Sequence, residues 1–546
     1  MKAAYFGIDG LRSCLALLEQ RGWEITAIFT IKDNDYDHSL RICQFAKARG
    51  IPLHTDRATP EDIRELERAG VTLSVTAGYP WKIPLSDTIM QVNLHPAYLP
   101  VGRGPWPMPV SILKNIPSGM TLHKLAAELD QGDILLQEEI PLAQGENLVS
   151  LSEKIAEAAP RLLGAFLNNP EEYWRNGKAQ TEGEYWPEPG DEDRFISPAD
   201  TMEKADRILR AFLGYGSLCN FQGIPILIEQ GRCVPAGESF PPDCLTLELA
   251  DGVLLIEKWQ PWFREITLED RQAMEAIRRS HPSALSDFTF PLLYCWRKEL
   301  GLRMLLGKNF FLIQAPDFYF CPVGDEAAFL PALELLLQTE KQLTLRFCDS
   351  AYAQRTQSLF PGRCLAAPCR DDEDYLMDNH VLYTLEGGAL SKRRNDLHHY
   401  SSLQPLPEVE VLTKETLHHA REVAFQCREA DFQPQEEALA NFEALGLHGV
   451  LIKRGQRYAG FAIASQKEKD VLQGHFSKAL EPERGASLFT VRACSIQQPE
   501  RYRYTNLEDD MGEEGLRQFK QSLHPERIPS FTITIKEAPL FEKEVV

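Results

Sequence analysis

Residues 1–92 alternate between two hydrophobic patterns. Short apolar runs typical of buried strands alternate with segments of about ten residues whose apolar positions recur at helical spacing. The strand-like runs are KAAYFGI, WEITAIFTI, IPLHT and VTLSVTAGY, and the helix-like segments between them are LRSCLALLEQ, HSLRICQFAKARG and PEDIRELERAG. This alternation predicts βαβ units and a Rossmann-like α/β fold with a mostly parallel sheet.

Two successive predicted strands end in residues that could face a ligand. Gly78 and Tyr79 end one strand, and Asn93 and His95 end the next, in the run QVNLH. Ligands of such sheets bind at the carboxyl ends of the strands, so we expect both ends to face one crevice. The segment FGIDGL after the first strand lacks the GxGxxG pattern, which argues against a dinucleotide ligand.

The stretch that follows QVNLH carries the candidate chemistry. Pro96 holds His95 extended, so the amide of Asn93 and the imidazole of His95 lie at a strand-to-loop boundary. A loop rich in Gly and Pro follows, and a second polar cluster, ELDQGD, precedes the apolar run ILLQEEI. An amide, an imidazole and the carboxylate of Asp130, brought together at loop ends, can handle one proton and one developing oxyanion. Hydrogen-bonded capping is the alternative role for Asn93 and His95.

The later part of the chain changes character twice. Residues 170–195 are polar and rich in Pro, Gly and acidic residues, which predicts a linker. A helix pattern and short strands follow, with a hairpin turn at Asp251-Gly252, and they predict a small β-rich, OB-like domain. From about Trp262 onward, mixed strands and helices predict an α+β region. We therefore predict three domains, at residues 1–180, 181–262 and 263–546.

The composition is that of an ordinary soluble protein, with 43% hydrophobic and 25% charged residues. No apolar run approaches the roughly 20 residues that span a bilayer. Asp9 and Arg12 interrupt the N-terminal segment, so it does not predict a signal peptide. The 12 cysteines are scattered, and Cys364 and Cys369 lack zinc-ligand spacing. We expect reduced thiols, no metal site, no membrane insertion and a cytoplasmic location.

The formal net charge of −21 bears on the partner. Nucleic-acid binding requires a basic surface, so this charge disfavours tRNA as a substrate. A local basic groove is compatible with an acidic chain, and Lys392, Arg393 and Arg394 could hold a phosphate or a tRNA backbone. A solvated basic turn is the simpler alternative for these three residues.

From Asn93 onward, the order and spacing of the motifs resemble those of the folate-dependent formyltransferases. This family includes glycinamide ribonucleotide transformylase, methionyl-tRNA formyltransferase and the amino-sugar N-formyltransferases. The matching motifs are NLHPAYLP from Asn93, the Arg-Gly pair at 103–104, GMTLH ending at His123, and LDQGDI around Asp130. The resemblance implies that 10-formyltetrahydrofolate is the formyl donor and that Asn93, His95 and Asp130 are the catalytic residues.

Each of the three catalytic residues has a role that its chemistry suits. Asn93 would donate its amide hydrogen to the developing oxyanion. His95, whose ordinary pKa is about 6.5, would take or relay a proton as a neutral imidazole. Asp130 would orient His95 and accept charge from the attacking amine. Asp133, which follows Gly132, is expected to close the loop structurally.

The resemblance also implies residues that hold the folate. In the family, the segment here written AGYPWKIP lines the pterin pocket, which assigns Tyr79, Trp81 and Ile83 to cofactor binding, together with Leu129 in the second cluster. Core or rim packing is the alternative for Tyr79 and Trp81. His123 either lines the folate side or supports the site from behind.

The C-terminal part resembles the C-terminal domain of phosphatidylglycerol lysyltransferase and its soluble relatives, which look like two tandem GNAT-like units. This resemblance is carried by residues 374–378, 385–388, 392–395, 505–512 and 515–517, together with Lys520. The phosphate loop of acetyl-CoA enzymes is missing, because residues 482–486 (PERGA) lack its leading Gln or Arg, so acyl-CoA binding is not expected. The middle region resembles, more weakly, the domain appended to methionyl-tRNA formyltransferase.

We therefore predict an enzyme that transfers a formyl group from 10-formyltetrahydrofolate to an amine of a small molecule. The GNAT-like part would bind or further modify the acceptor. Methionyl-tRNA formylation is one alternative, favoured by the Arg-Gly loop and the small appended domain and disfavoured by the charge. A protein that binds metabolites without turnover is the other alternative. The identity of the acceptor and the oligomeric state stay open.

Overall fold

A computed structural model of the chain describes residues 1–32, 38–237, 244–427, 430–480, 483–498 and 501–537. The chain divides into two compact units, Met1–Phe221 with Ile226–Gln260, and Gln222–Pro225 with Pro261–Val546. The domain boundaries placed after residues 180 and 262 stay predictions. Pro482 of the PERGA segment and residues 538–546 of the third predicted domain lie outside the described residues.

The N-terminal part of the first unit alternates strands and helices. The strands are β1 (Lys2–Gly7), β2 (Glu24–Phe29), β3 (Leu53–His54), β4 (Leu73–Ala77), β5 (Met90–His95), β6 (Val101–Arg103), β7 (Ser118–Lys124), β8 (Ile134–Ile140) and β9 (Glu184–Tyr185). The helices are α1 (Arg12–Gln20), α2 (Leu40–Arg49), α3 (Pro60–Arg68), α4 (Pro107–Lys114), α5 (Leu148–Asn168) and α6 (Pro170–Arg175).

One sheet has the strand order β3-β2-β1-β4-β5-β7-β8. Its first five strands run parallel, and β7 and β8 are antiparallel to their neighbours. All five residues of β4 are buried, as expected for a strand covered on both faces. The predicted α/β fold with a mostly parallel sheet is confirmed. Because β1, β4 and β5 are parallel, their carboxyl ends lie at one edge of the sheet.

The segment 170–195, predicted to be a linker, is partly regular structure. It contains α6 and β9, and β9 pairs in parallel with β6, so that Val101 lies opposite Glu184 and Arg103 opposite Tyr185. The prediction failed because the segment is too polar and too rich in Pro and Gly to show a hydrophobic period. Its backbone hydrogen bonds to β6 hold it in place instead.

The middle region forms a separate five-stranded sheet with one helix. Its elements are β10 (Phe195–Ile196), α7 (Met202–Ala211), β11 (Ser217–Phe221), β12 (Ile224–Val234), β13 (Leu245–Glu248) and β14 (Val253–Pro261). The order is β10-β11-β12-β14-β13. Strands β13 and β14 form an antiparallel hairpin whose last pair is Glu248 with Val253, so the predicted Asp251-Gly252 turn lies in its loop.

The second unit mixes helices and mostly antiparallel strands. The helices are α8 (Arg271–Ser280), α9 (Phe290–Trp296), α10 (Glu326–Glu340), α11 (Ser350–Leu359), α12 (Asn379–Thr384), α13 (Ser391–Ser402), α14 (Leu417–Cys427), α15 (Phe432–Ala440), α16 (Ala486–Ile496) and α17 (Glu514–Gln521). The strands are β15 (Arg303–Leu306), β16 (Phe310–Gln314), β17 (Tyr319–Phe320), β18 (Val323–Gly324), β19 (Gln342–Cys348), β20 (Cys364–Pro368), β21 (Asp374–Asp378), β22 (Pro407–Val411), β23 (His448–Arg454), β24 (Arg457–Glu468), β25 (Val471–Ala479), β26 (Tyr504–Asn506), β27 (Glu526–Ile528) and β28 (Phe531–Lys536).

These strands build two sheets. The first has the order β15-β16-β17-β19-β28-β20, with β18 paired to β16, and the second has the order β22-β23-β24-β25-β26-β21-β27. In the second sheet β25 and β26 run parallel, while the other neighbours run antiparallel. None of the helices in the described ranges combines the length and the apolar character that a bilayer-spanning segment needs.

Candidate functional site

The structure brings Asn93, His95 and Asp130 together at the carboxyl edge of the N-terminal sheet. Asn93 and His95 come from the end of β5, and Asp130 comes from the loop that leads into β8. The backbone of β5 pairs on one side with β4 in parallel and on the other with β7 in antiparallel orientation. Both neighbours hold the strand end rigidly, which is what a site of defined geometry requires.

Asn93 contacts two partners through its amide nitrogen. Its Nδ2 lies 3.1 Å from Nε2 of His123 and donates to Oδ1 of Asp130 over 3.3 Å. His123 is the residue directly opposite Asn93 in the β5–β7 register, so the two side chains lie on the same face. The amide is therefore held between a ring nitrogen and a carboxylate.

The tautomer of His95 follows from its backbone contact. Its Nε2 lies 2.7 Å from the carbonyl oxygen of Gly102, and because a carbonyl only accepts, Nε2 carries the hydrogen. This leaves the lone pair of Nδ1 facing Oδ1 of Asp130, 3.5 Å away. Burial lowers the pKa of His95, and the nearby Asp130 carboxylate only partly offsets that effect. The ring is thus a neutral base at neutral pH.

Asp130 is held in a left-handed backbone conformation, with φ of 56°. Its Oδ2 accepts from the backbone N–H of Gly104 over 3.0 Å. Burial alone would raise the pKa of Asp130, but the neighbouring rings of His123 and His95 and the backbone N–H of Gly104 lower this pKa to about 2. The carboxylate therefore stays ionised beside the neutral imidazole.

His123 belongs to the same cluster, and supporting the site was one of the two roles that the sequence left open for it. Its Nδ1 donates to the carbonyl oxygen of Lys124 over 2.8 Å, so in the neutral ring Nε2 is the acceptor for Asn93. Its side chain is only 1% exposed. The motif GMTLH named the residue, but the β5–β7 register was needed to place it against Asn93.

A second supporting residue, Gln180, comes from the segment predicted to be a linker. Its Nε2 donates to the carbonyl oxygens of Asp130 and Gly132, each over 2.7 Å. Its Oε1 accepts from the guanidinium of Arg103 over 3.1 and 2.9 Å. Arg103 also donates to the carbonyl oxygen of Thr181. The backbone of the Asp130 loop is thus tied to the Arg-Gly loop through one amide side chain.

Two glycines of the motif are required by close packing. A Cβ on Gly132 would lie 1.8 Å from the carbonyl oxygen of Lys124, and one on Gly104 would lie 2.0 Å from that of Trp186. Gly104 also has a φ of 126°, which favours glycine. Asp133, in contrast, forms a partly exposed ion pair with Lys124 over 2.8 Å. This position agrees with the structural role expected for Asp133.

Two parts of the chain match known protein families. Residues 24–167 match the family model described as formyl transferase, and residues 278–534 match the one described as phosphatidylglycerol lysyltransferase, C-terminal. The N-terminal part of the chain is a formyltransferase domain. It is joined to a C-terminal domain of the lysyltransferase type, so both predicted resemblances are confirmed. Formyl transfer is the chemistry of the first domain.

Several solved structures are similar to parts of this chain. A conserved protein of unknown function from Bacteroides thetaiotaomicron is 25% identical over 50% of this chain and 99% of its own, with a TM-score of 0.46. A sugar N-formyltransferase from a Shewanella species is 19% identical over 42% of this chain and 97% of its own, with a TM-score of 0.35. HypX from Aquifex aeolicus, in complex with tetrahydrofolic acid, is 16% identical over 59% of this chain and 53% of its own, with a TM-score of 0.39.

The residues predicted to hold folate fall into two groups in the formyltransferase domain. Tyr79 and Ile83 are buried in one hydrophobic cluster, and Trp81 packs edge-on against Tyr79 with ring centroids 5.3 Å apart. The hydroxyl of Tyr79 is hydrogen-bonded to the backbone of Asp56 and Ala58. Leu129 is 53% exposed beside the catalytic Asp130 candidate. Their binding of folate stays a prediction, with Trp81 and Leu129 offering the accessible side chains.

The described residues hold no cluster of three or more His, Cys, Asp or Glu side chains arranged to bind a metal ion. Around Oδ1 of Asp130 the formyltransferase site brings together an amide, two imidazoles and one carboxylate. Such a set can accept a proton, donate one hydrogen bond to an oxyanion and balance a positive charge.

Proposed function

We propose that the chain transfers the formyl group of 10-formyltetrahydrofolate to an amine of a small molecule. The observation that supports this most directly is the convergence of Asn93, His95 and Asp130 around Oδ1 of the carboxylate, within 3.5 Å. The convergence lies in a domain of the formyltransferase family and at the sheet edge where ligands of parallel sheets bind.

The amine is activated between His95 and Asp130. An ionised carboxylate 3.5 Å from an unprotonated Nδ1 is an arrangement that favours a proton between them. An ammonium group entering there gives its proton to Nδ1 of His95, and Asp130 stabilises the imidazolium that forms. The neutral amine nitrogen then attacks the formyl carbon, and the imidazolium gives its proton to N10 of the folate as the bond from the formyl carbon to N10 breaks. Neutral His95 takes the second proton from the new amide nitrogen and releases it to solvent.

The formyl oxygen is polarised by Asn93. Of the two contacts of Nδ2, the bond to Asp130 at 3.3 Å is the longer and is the one that exchanges for the oxyanion. His123 keeps the other N–H and so holds the amide nitrogen, rather than its oxygen, toward the reacting carbon. A donor of this kind contributes roughly 2.7–4 kcal/mol to transition-state stabilisation.

The acceptor we propose is a small molecule rather than tRNA. The net charge of −21 opposes phosphate-rich ligands. Arg103, the basic residue of the Arg-Gly loop, uses its guanidinium on Gln180 and Thr181. That loop therefore supports the site internally. The role of the C-terminal domain in binding or modifying the acceptor stays a prediction.

The test is formyl transfer by the full chain. Purified protein is given 10-formyltetrahydrofolate and a panel of amino-sugar nucleotides and amino acids, and products are detected by a mass gain of one CO unit. Asn93→Ala and Asp130→Asn are expected to lower kcat about 10²–10³-fold. Asp133→Asn, in the same loop but partly exposed in an ion pair, is the matched control and keeps its activity.

The same experiment separates the alternatives. Formyl transfer to initiator methionyl-tRNA but to no small amine would replace the proposal with tRNA formylation. Folate binding without product from any acceptor would leave a metabolite-binding protein, and an absence of folate binding would refute both the donor and the reaction.

A further inference from the structure

The second sheet of the C-terminal unit presents a row of buried polar side chains where apolar ones are the norm. Ser465 of β24 pairs with Gln473 of β25, and Gln473 pairs with Asn506 of β26. Directly paired residues point to the same face, and so do residues two positions apart along a strand. His475 is the extra residue of a bulge in β25, and Glu508 follows the end of β26. Their hydrogen bonds to Ser465 and Gln473 bring both side chains to this group.

Three of these side chains form one hydrogen-bonded chain. The hydroxyl of Ser465 lies 2.7 Å from Nε2 of His475, and Nδ1 of His475 lies 3.0 Å from Oε1 of Glu508. Because the carboxylate only accepts, Nδ1 carries the hydrogen and Nε2 accepts from the Ser465 hydroxyl. This is the arrangement of a nucleophile, a base and a carboxylate that orients the base.

The carboxylate of Glu508 belongs to a residue with a strained backbone and is held by hydrogen bonds from Gln473 and His475. Glu508 has a φ of 60°, which costs free energy for a residue with a side chain. Its backbone N–H donates to Oδ1 of Asn506 over 2.7 Å, and its Oε1 also accepts from Nε2 of Gln473 over 2.6 Å. Asn506 in turn donates to Asp374 over 2.7 Å. Strained residues held in this way cluster at functional sites.

The chain of three lies where two parallel strands separate. The pairing of β25 and β26 ends at Gln473 and Asn506, while β25 continues to Ala479. His475 and Glu508 face each other across this split, at the carboxyl ends of the parallel strands, where ligands bind. The amide oxygen of Gln473 is fully buried there and has no hydrogen-bond partner among the described residues. A ligand that donates a hydrogen bond would satisfy this oxygen.

We propose that Ser465, His475 and Glu508 are a second catalytic centre, which hydrolyses a carboxylic ester carrying an O–H or N–H donor. Ser465 Oγ attacks the ester carbonyl carbon while its proton passes to Nε2 of His475. The C–O bond to the alcohol then breaks, and His475 returns the proton to the departing alcohol. Water, deprotonated by His475, attacks the acyl-Ser465 ester and releases the carboxylic acid and the free serine.

The test uses the full chain and three small probes. Hydrolysis of p-nitrophenyl acetate is compared by absorbance with that of p-nitrophenyl glycolate, whose hydroxyl supplies the O–H donor and which should react faster, and a fluorophosphonate probe is mapped by peptide mass spectrometry. We expect the probe on Ser465, and we expect Ser465→Ala and His475→Gln to lower the esterase rate about 10²–10⁴-fold. Ser477→Ala, an exposed serine on the same strand β25, is the matched control and keeps the wild-type rate.

The mapping keeps the proposal testable if a variant fails to fold, because it is done on the wild-type chain. Label on Ser465 supports the proposal even then. Label on a different serine, no label at all, or a Ser465→Ala variant that folds and keeps the esterase rate would overturn it and leave the three residues as a structural hydrogen-bond chain. Thermal unfolding of each variant separates loss of catalysis from loss of fold.

Discussion

Two histidines at the edge of the N-terminal sheet share one carboxylate, and their backbone contacts decide what each can do. His95 gives its Nε2 hydrogen to Gly102 and turns the Nδ1 lone pair toward Asp130. His123 gives its Nδ1 hydrogen to Lys124 and keeps Nε2 for Asn93. One ring is thereby a base and the other a support for the amide.

The pH dependence of kcat/KM should report the protonation of His95. Burial lowers the pKa of His95 below its ordinary 6.5, and Asp130, with a pKa of about 2, stays ionised. Activity should be level at neutral pH and fall as pH drops through this lowered pKa, because His95 then gains the proton it must accept. A rate profile with acceptors of different amine pKa separates enzyme from substrate titration.

Asp130→Asn provides the control for that profile. The carboxylate raises the pKa of His95, so its removal should move the acidic limb of any residual activity to still lower pH. An acidic limb above pH 6.5 in the wild-type chain, or one that Asp130→Asn moves upward, would contradict the assignment of His95 as the base.

Replacing His123 should impair the reaction without removing a reacting group. In His123→Ala the amide of Asn93 loses its fixed partner, so we expect kcat to fall about 10–100-fold, with a smaller change in KM. His123→Gln restores a polar partner and should recover part of kcat. Steady-state kinetics and the melting temperature together distinguish this effect from unfolding. Equal losses of kcat in the two variants would argue against an orienting role.

At the scale of elements, the Asp130 loop depends on a segment 50 residues further along the chain. The side-chain amide of Gln180 donates hydrogen bonds to two carbonyl oxygens of that loop, and it accepts one from Arg103, which belongs to β6. Because β9 pairs with β6, the same segment is fixed at a second point. The loop that carries the carboxylate is thus positioned by a pair of short strands outside the main sheet.

Gln180→Leu should lower both stability and kcat. The variant leaves the carbonyl oxygens of Asp130 and Gly132 without their donor, which costs about 1–3 kcal/mol in unfolding free energy. Without these hydrogen bonds the carboxylate of Asp130 is less precisely positioned, so we expect kcat to fall about tenfold. Urea unfolding and kinetics measure the two effects.

The neighbouring exposed Thr181 offers a control for that change. Its backbone oxygen, rather than its side chain, accepts from Arg103, so Thr181→Ala should leave both quantities unchanged. A Gln180→Leu variant as stable and as active as the wild type would show that the loop holds itself in place.

At the scale of the whole molecule, charge bears on the choice of partner. With 79 acidic and 58 basic residues, the chain repels polyanions at long range. Initiator tRNA should therefore neither bind at physiological salt nor compete with a small amine acceptor. Filter binding across a salt series checks this, because true phosphate contacts would give tight binding at low salt with a steep loss on salt addition.

The two units also differ in where the polar side chains of their candidate sites lie in the fold. In the formyltransferase domain the polar residues stand at strand ends and in loops, where a parallel sheet exposes them. In the C-terminal domain Ser465, His475 and Glu508 meet at a bulge in β25, beside the end of the single described parallel pair of a mostly antiparallel sheet. The apolar periodicity along β24 and β25 does not predict that these three polar side chains meet. The sequence alone therefore gave no indication of the hydrogen-bonded chain.

What the sequence determined by itself was whatever is encoded locally. The period and length of the apolar runs were enough to predict the parallel N-terminal sheet. The compact motifs around Asn93, His95 and Asp130 were enough to predict the formyltransferase domain. Only the tertiary structure decided which partners those residues have. His123 reaches Asn93 through the β5–β7 register, and Gln180 reaches Asp130 from a segment with no hydrophobic period. Strand pairing and long-range hydrogen bonds depend on how distant segments meet, and no local pattern records that.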